Sequence, residues 1–329
     1  MQTLCEGAGV FIPGADNYLH WARAMDHGLD PLPDTLRPAP RPAPAPPVEL
    51  RPHHLSVTEV ENLIRDPYAI YAKKILRLKP LDRPNEPVEA RQRGTAIHEA
   101  LERFVSEDVP LTDEARLAAM LETELEAAGQ PPHLLALQRP LLADMAREYI
   151  VFEKGRREGH PRLVIEQKGE LKIATSRGDF TLVAKADRIE LRDGVADIID
   201  FKTGYPPTAK AVLRGFYPQL TLTAAILRRG GFEGIRATAI GDLLYVKVGA
   251  TASEERFIRA KDGATSDDLA ARDLARLKTR LEAYARPDQP YLSWTAPEFA
   301  KRGGDYDHLA RLYEWDVLGD DEPAEADAP

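Results

Sequence analysis

Cysteine is nearly missing: Cys5 stands alone among 329 residues. Its isolation excludes a disulfide framework and any zinc or iron–sulfur site built from this chain's cysteines, and it fits a reducing cytosol. No apolar run approaches the roughly 18–20 residues that a membrane helix needs. The first residues, Met-Gln-Thr-Leu-Cys-Glu, show neither a basic n-region nor a long apolar stretch, so no export signal is expected and a cytoplasmic location follows. A Walker-type phosphate loop is absent, so no ATP site is expected. There is no internal repeat.

Excess positive charge is missing too. The net charge is −9, awkward for a protein that would neutralise phosphates. Its distribution changes the picture. Residues 1–50 carry six acids and three bases, and residues 316–329 carry six acids and no base, which leaves 41 of each in residues 51–315. Within that neutral body, residues 201–232 hold Lys202, Lys210, Arg214, Arg228 and Arg229 with no acid. Scattered solvated charge accounts for this as well as a nucleic-acid surface does. Charge therefore neither supports nor excludes nucleic acid.

Nine of the 27 prolines fall in residues 31–52, with a Pro/Ala/Arg run over 37–47 that reads as a semi-rigid polyproline II spacer. The piece ahead of it, with Trp21 and few other large apolar residues, is too small to fold alone and is expected to be the trailing end of a larger domain. The main body opens at Leu55-Ser-Val-Thr-Glu59, where Ser56 and Glu59 form a capping box. Asp66-Pro67 starts a second helix. A Pro-rich, charged loop over 79–88 leads to a helix over 90–106, whose Ile97, Leu101, Phe104 and Val105 share one apolar face. Further helices are predicted over 112–128 and 133–156.

At Arg162 the texture turns to strands, over 163–173, 180–191 and 195–202. Asp193-Gly194 marks a tight hairpin between the last two. Helices over 207–214 and 217–229, strands over 237–248 and 255–260 and a helix over 266–285 complete the body. The acidic tail after Trp315 is expected to be disordered. Helices, a three-strand meander, then helices and more strands predict an α/β fold, a mixed central sheet with helices packed against it.

Chemistry concentrates in Asp187 and, thirteen residues on, Asp200-Phe201-Lys202. Asp200 and Lys202 are two apart on a strand and leave the same face. Taken alone, they read equally as a surface ion pair on a sheet edge. Counting back across the hairpin, however, sets Asp187 beside Asp200, and two converging carboxylates repel unless a cation lies between them. Oxygen ligands without cysteine or a histidine cluster favour Mg²⁺ or Mn²⁺ over zinc. Such an ion polarises a phosphoryl oxygen and generates hydroxide at neutral pH, with Lys202 placed to hold the attacking water or offset developing charge. His98, on the helix Gly94-Thr-Ala-Ile-His98-Glu99, borders the buried face and is a further candidate ligand. A zinc-protease reading of His98-Glu99 fails because position 102 is Glu.

Together Gly94-Thr-Ala-Ile-His98, Ala186-Asp187-Arg188-Ile189, Ile199-Asp200-Phe201-Lys202-Thr203-Gly204 and Pro218-Gln219-Leu220 resemble, in order and spacing, the PD-(D/E)XK nuclease superfamily in its RecB-like branch. The likeness covers about residues 50–295. The entry segment Leu55–Tyr68, the ending Tyr306–Arg311 and Glu314-Trp315 add a narrower likeness to AddB-type nuclease domains of double-strand-break repair in alphaproteobacteria. This resemblance implies a restriction-endonuclease-like core. Two divalent ions would be held by His98, Asp187, Asp200 and the main-chain carbonyl of Phe201. Lys202 would assist the water, Gln219 would steady the site, and a glutamate would come from the preceding strand, Glu166 rather than Glu170.

It also implies DNA as substrate, chiefly single-stranded ends, and an AddA-like helicase-nuclease subunit as partner. Many relatives place Cys-Pro where Asp66-Pro67 stands and carry a late cysteine triplet; both are missing, so no iron–sulfur cluster is expected. The family's Gln-x-x-x-Tyr becomes Gln219-Leu-Thr-Leu-Thr223, which weakens the expectation that a tyrosine acts at that site. The helicase-like region that precedes the nuclease in full-length AddB has no room here, so a fragment or a shortened relative is expected. The implied domains are 1–52, an N-terminal segment and Pro-rich linker; 53–295, the nuclease; and 296–329, an extension with an acidic disordered tail. A different class of function, a catalytically silent DNA-binding or scaffold module of an AddAB-type complex, keeps the fold without cutting. It has no physical reason to retain buried, mutually repelling carboxylates. A glycoside-type hydrolase is disfavoured because its two carboxyls need no ammonium between them.

Overall fold

The structure, a computed structural model, describes residues 40–79, 90–296 and 304–315. The N-terminal piece, the start of the Pro-rich run, nearly all of the loop expected over 79–88, part of the C-terminal extension and the acidic tail lie outside the described residues. The chain divides into two units, residues 43–306 and residues 1–42 with 307–329. In the second, Arg41 lies over the ring of Trp315, 5.0 Å from its centroid, beside a short helix, Leu312–Trp315. Everything below concerns the first.

The chain enters through β1 (His54–Ser56) and turns at once into α1 (Val57–Arg65). Ser56 Oγ accepts the Glu59 N–H and Glu59 accepts the Ser56 N–H, both at 3.1 Å, so the predicted capping box is present. Pro67 opens α2 (Pro67–Ile70), which a π-helical turn, Tyr71–Ile75, continues. Three helices follow: α3 (Ala90–Ser106), α4 (Glu114–Ala127) and α5 (Pro132–Arg156). Then come β2 (Arg162–Thr175), β3 (Gly178–Arg192) and β4 (Val195–Lys202), the expected meander. Asp193 and Gly194 join the last two with φ of 49° and 81°, the left-handed pair that a two-residue hairpin turn requires. α6 (Ala209–Leu213) and α7 (Gln219–Arg228) cross to β5 (Ala239–Lys247), and β6 (Glu254–Phe257) and α8 (Ser266–Ala283) complete the body.

The six strands form one mixed sheet in the order β1-β3-β4-β5-β6, with β2 on the other edge of β3. β1 runs parallel to β3 and β4 parallel to β5; the remaining pairs are antiparallel. One apolar layer, including Val60, Leu220, Leu222 and Leu277, packs α1, α7 and α8 on one face. A second, including Ile97, Phe104, Leu121 and Tyr149, packs α3, α4 and α5 on the other. This is the mixed central sheet flanked by helices that the sequence predicts. β1 was outside the expected elements: three residues carry no periodicity, and only pairing with β3 makes them a strand.

Two features of the sheet position the site. β2 runs along one edge of β3, while the opposite edge is shared. β1 takes Thr181–Val183 and β4 takes Arg188–Arg192, and among the described residues Ala184–Asp187 form no ladder there. The side-chain alternation of β3 also slips by one at this point. Ala186 and Ile189 both join the layer under α7, so Asp187 and Arg188 turn together toward α3 and α5. Opposite them on β2, Glu166 has φ of 52°, a left-handed conformation that is strained for a non-glycine residue. Behind α1, the segment 292–295 is stitched on by Tyr68 N–H to Leu292 O (3.1 Å), Trp294 N–H to the Asp66 carboxylate (3.2 Å) and Thr295 N–H to Arg65 O (2.8 Å).

Candidate active site

At the notch where β3 and β4 part, the last ladder pair is Arg188↔Ile199. One residue further, the carboxylate of Asp187 takes the place of a backbone partner: its Oδ2 accepts the Phe201 N–H at 2.9 Å. α3 brings His98 to the same spot, with Nδ1 3.5 Å from Asp187 Oδ2 and the ring edge-on to Phe201. Close approach of α3 depends on Gly94, because a Cβ there would lie 3.1 Å from Thr203 Oγ1 just past β4. Glu166 completes a trio: one ligand atom each from His98, Glu166 and Asp187 lie within 4.8 Å of one another. Lys185 forms an ion pair with Glu166 on its outer side. Glu170, the alternative on the same strand, is exposed and stands apart from the trio.

Electrostatics mark the trio as short of positive charge. Burial, and then the neighbouring Asp200 carboxylate, push the Asp187 carboxyl well above its usual range. Burial pulls His98 down, keeping it neutral and able to ligate, although Asp200 and Glu166 oppose the shift. Imidazole nitrogen with two carboxylates and an adjacent carbonyl is a donor set that suits a divalent cation. Such an ion fits these residues.

Asp200 belongs to a second group. The expectation that plain strand alternation brings the Asp187 and Asp200 carboxylates face to face is modified by the slip in β3. Asp187 faces α3, while Asp200 lies in the layer beneath α1 and α7, 4% exposed. There Lys202 Nζ sits 2.7 Å from Asp200 Oδ2 and donates to Gln219 Oε1 at 3.2 Å, and Gln219 Nε2 donates to Asp200 Oδ1. Burial alone would lower the Lys202 ammonium; the carboxylate of Asp200 more than offsets this and holds it above the usual lysine value. Thus His98, Glu166, Asp187 and the Phe201 peptide meet in one cluster, and Asp200, Lys202 and Gln219 in another. Asp200 acts electrostatically on both Asp187 and His98, which links the two.

Two residues of the second cluster had not been anticipated. Glu61, on α1, is 8% exposed and pairs with Arg65 at 3.3 Å on the same helix. Burial pushes its carboxyl up to about 7 despite the pull of Arg65 and Lys202. Tyr245 stands beside Asp200 in the β4–β5 register, fully buried, with Lys202 Nζ 5.6 Å from its ring centroid. A glutamate on an amphipathic helix and an aromatic in a strand are unremarkable as sequence; only the packing of α1 and β5 gives them away. A cavity of about 730 Å³ between α1, α7 and α8 contains none of these polar side chains.

The sequence profile of the PD-(D/E)XK nuclease superfamily matches residues 54–294. The chain belongs to the PD-(D/E)XK nuclease superfamily. Members of the superfamily are usually nucleases, so the notch between β3 and β4 is where cutting chemistry is to be sought. Three relatives come from Rickettsia. An "Uncharacterized protein" of Rickettsia bellii (strain RML369-C) is 31% identical over 186 residues, 55% of this chain and 22% of its own length. A second "Uncharacterized protein", from Rickettsia felis (strain ATCC VR-1525 / URRWXCal2), is 32% identical over 190 residues, again 55% and 22%. "Uncharacterized protein RC0550" of Rickettsia conorii (strain ATCC VR-613 / Malish 7) is 32% identical over 189 residues, 55% and 23%. The matched part of the chain thus spans under a quarter of these curated relatives. The crystal structure of SSO0001 aligns with 68% of this chain and 76% of its own at 13% identity, but its TM-score of 0.29 carries no argument. No described helix is long and apolar enough to cross a membrane.

Proposed function

We propose that this superfamily member hydrolyses DNA phosphodiester bonds with Mg²⁺ or Mn²⁺, as the nuclease part of an AddB-like subunit in double-strand-break repair. The observation that carries the proposal is the like-charged, half-buried pair of Asp187 and Glu166 gathered by His98 at the Phe201 peptide, with a charged lysine in the adjoining cluster. Carboxylates crowded in this way repel unless a cation is bound.

His98, Glu166, Asp187 and the Phe201 carbonyl would hold the first ion, and Asp200 would be shared between metal and lysine. When bound, the ion supplies Lewis-acid stabilisation of the phosphate and a water of lowered pKa. Lys202 stays protonated through Asp200, so it presents a fixed ammonium to the attacking water or to charge building on phosphorus. Gln219 restrains both partners of that ion pair. The substrate in this reading is single-stranded DNA ends delivered by an AddA-like motor. Residues 53–295 are proposed as the nuclease domain, flanked by a linker and a C-terminal extension, in a cytoplasmic protein.

Labelled single- and double-stranded DNA incubated with the full chain and Mg²⁺ is the direct test. Asp187→Asn and Lys202→Ala should each lower the rate by about 10²–10³, the scale of losing a charge-stabilising group, with far-UV circular dichroism unchanged. Digestion by both variants at the wild-type rate would remove the assignment.

A further inference from the structure

Just past Lys202 the chain leaves β4 as Thr203-Gly204-Tyr205-Pro206-Pro207 and presents one aromatic ring to solvent. Tyr205 is 90% exposed, more than any other large hydrophobic side chain among the described residues. A lone exposed ring needs no explanation. This one is held in place. Lys247 of β5 sets its ammonium 4.3 Å from the ring centroid, a cation–π contact that covers one face. The prolines that follow stiffen the backbone, since the residue before a proline is confined to extended conformations. Arg256 of β6 donates to Pro206 O at 2.6 Å and fastens the loop to the sheet.

The ring's surroundings belong to the candidate site. Lys202 and Lys247 are partners in the β4–β5 register and leave the same side of the sheet. The Val248 N–H closes onto Lys202 O at 2.8 Å, which ties the two strand ends together. Lys202 is neutralised by Asp200, whereas Lys247 pairs with no carboxylate among the described residues; Glu254, opposite it on β6, pairs with Arg256 instead. An ammonium has three donors, so Lys247 can lie against the ring and still offer N–H groups to a phosphate. Tyr205 follows Lys202 by three residues, at most about 11 Å of chain. The free face of the ring therefore stands beside the place where a bond would be cut.

We propose that Tyr205, backed by Lys247, is a stacking platform for one base of single-stranded DNA next to the scissile phosphate. Every base has a π-face, so the ring accepts any of them, while Lys247 meets the adjoining backbone. Inside a duplex both faces of a base are covered by its neighbours, so only an unpaired base reaches the ring. The platform thus selects single strands over duplex. The inference deepens the nuclease reading and rests on it for the choice of DNA as ligand.

The full chain is titrated in EDTA, where a metal-dependent reaction is off, with a fluorescein-labelled single strand of about 12 thymidines, and binding is read by anisotropy. Tyr205→Ala should weaken binding about tenfold, and Tyr205→Phe should stay within twofold of wild type. Tyr205→Leu, apolar but without a π-face, should bind as poorly as Tyr205→Ala. Lys247→Ala should weaken binding several-fold and reduce the slope of log affinity against log salt by about 0.7. A blunt duplex of the same length, and a strand of the same length without bases, should each bind wild type and Tyr205→Ala within twofold of one another. Wild-type affinity in Tyr205→Ala, an equal loss on the duplex or the base-free strand, or no measurable binding of the single strand by wild type overturns the platform. The expected pattern in a chain that cuts no DNA with Mg²⁺ leaves the platform standing and removes the nuclease reading. Cutting by the wild type beside unchanged binding in Tyr205→Ala does the reverse.

Discussion

Asp187 and Arg188 are neighbours on one strand, both turned toward the same helices, and their surroundings differ completely. Arg188 is fully buried and met by opposite charge on every side. It bonds Glu153 of α5 and lies 2.8 Å from Glu190, while Arg156 at 2.7 Å from Glu190 and 3.0 Å from Asp197 closes the network. Asp187 is met by like charge from Glu166 and Asp200, and burial first and Asp200 next drive its carboxyl up. The protein completes the first environment by itself. The second gathers carboxylates and a histidine that could hold a cation from outside. Burial of charge is therefore not the mark of a site; burial without internal neutralisation is.

Breaking the neutralised side should have the largest effect on stability. Glu153→Ala leaves the buried Arg188 with one carboxylate, Glu190, that Arg156 and Arg192 already share, and a loss of about 3–5 kcal/mol is expected. Asp187→Asn, one residue away, should run the other way in the presence of EDTA, gaining on the order of 1 kcal/mol by removing a repelled carboxylate. Urea unfolding of the two variants beside wild type measures both. A loss of equal size in Asp187→Asn would mean that Asp187 is neutralised internally, and the contrast between the neighbours would be gone.

Supplying the missing cation should convert the second environment into the first. Mn²⁺ at a hundred times its Kd should stabilise the wild type by about 2.7 kcal/mol, and Asp187→Asn should lose most of that. The sign with pH follows from the raised carboxyl of Asp187. At acid pH the group holds a proton that the metal must displace, so Mn²⁺ binding strengthens as pH rises and levels off above the folded-state pKa. Calorimetry at several pH values in non-chelating buffer checks it. Affinity that falls with rising pH would exclude Asp187 as a ligand.

The contrast also explains what was legible beforehand. Element order, the Asp193-Gly194 turn, the Ser56–Glu59 box and the candidates Asp187, Asp200, Lys202 and His98 follow from local rules acting over a few positions, while Glu166 and Gln219 come only with the family resemblance. The grouping of those residues does not. Strict period-two alternation sets Asp187 against Asp200, but β3 slips at Asp187–Arg188 and Glu166 adopts a left-handed conformation opposite, which no pattern of apolar residues announces. β1 is legible only once β3 exists to pair with it. Asp66 gives no hint in the sequence that its carboxylate receives the Trp294 N–H from 228 residues away. Tyr245 is similar: on β5 it stands beside Asp200 in space and 45 positions from it in sequence.

The smallest expected effect separates burial from repulsion as the cause of a raised carboxyl. Glu61 lies in the lysine cluster, where Arg65 and Lys202 draw its pKa down, and burial still lifts it from 4.5 to about 7. The folded protein therefore retains a proton between those values that the unfolded chain gives up. The stability linked to that proton is full below about pH 4.5 and is lost as pH rises to about 7. Glu61→Gln carries no such dependence. In EDTA it should match the wild type near pH 4.5 and exceed it above pH 7 by on the order of 1–2 kcal/mol, allowing for relaxation around the charged form. Paired urea curves from pH 4.5 to 8 measure the gap. A gap that stays constant across that range would place Glu61 in a neutralised setting like that of Arg188, with Arg65 and Lys202 outweighing burial.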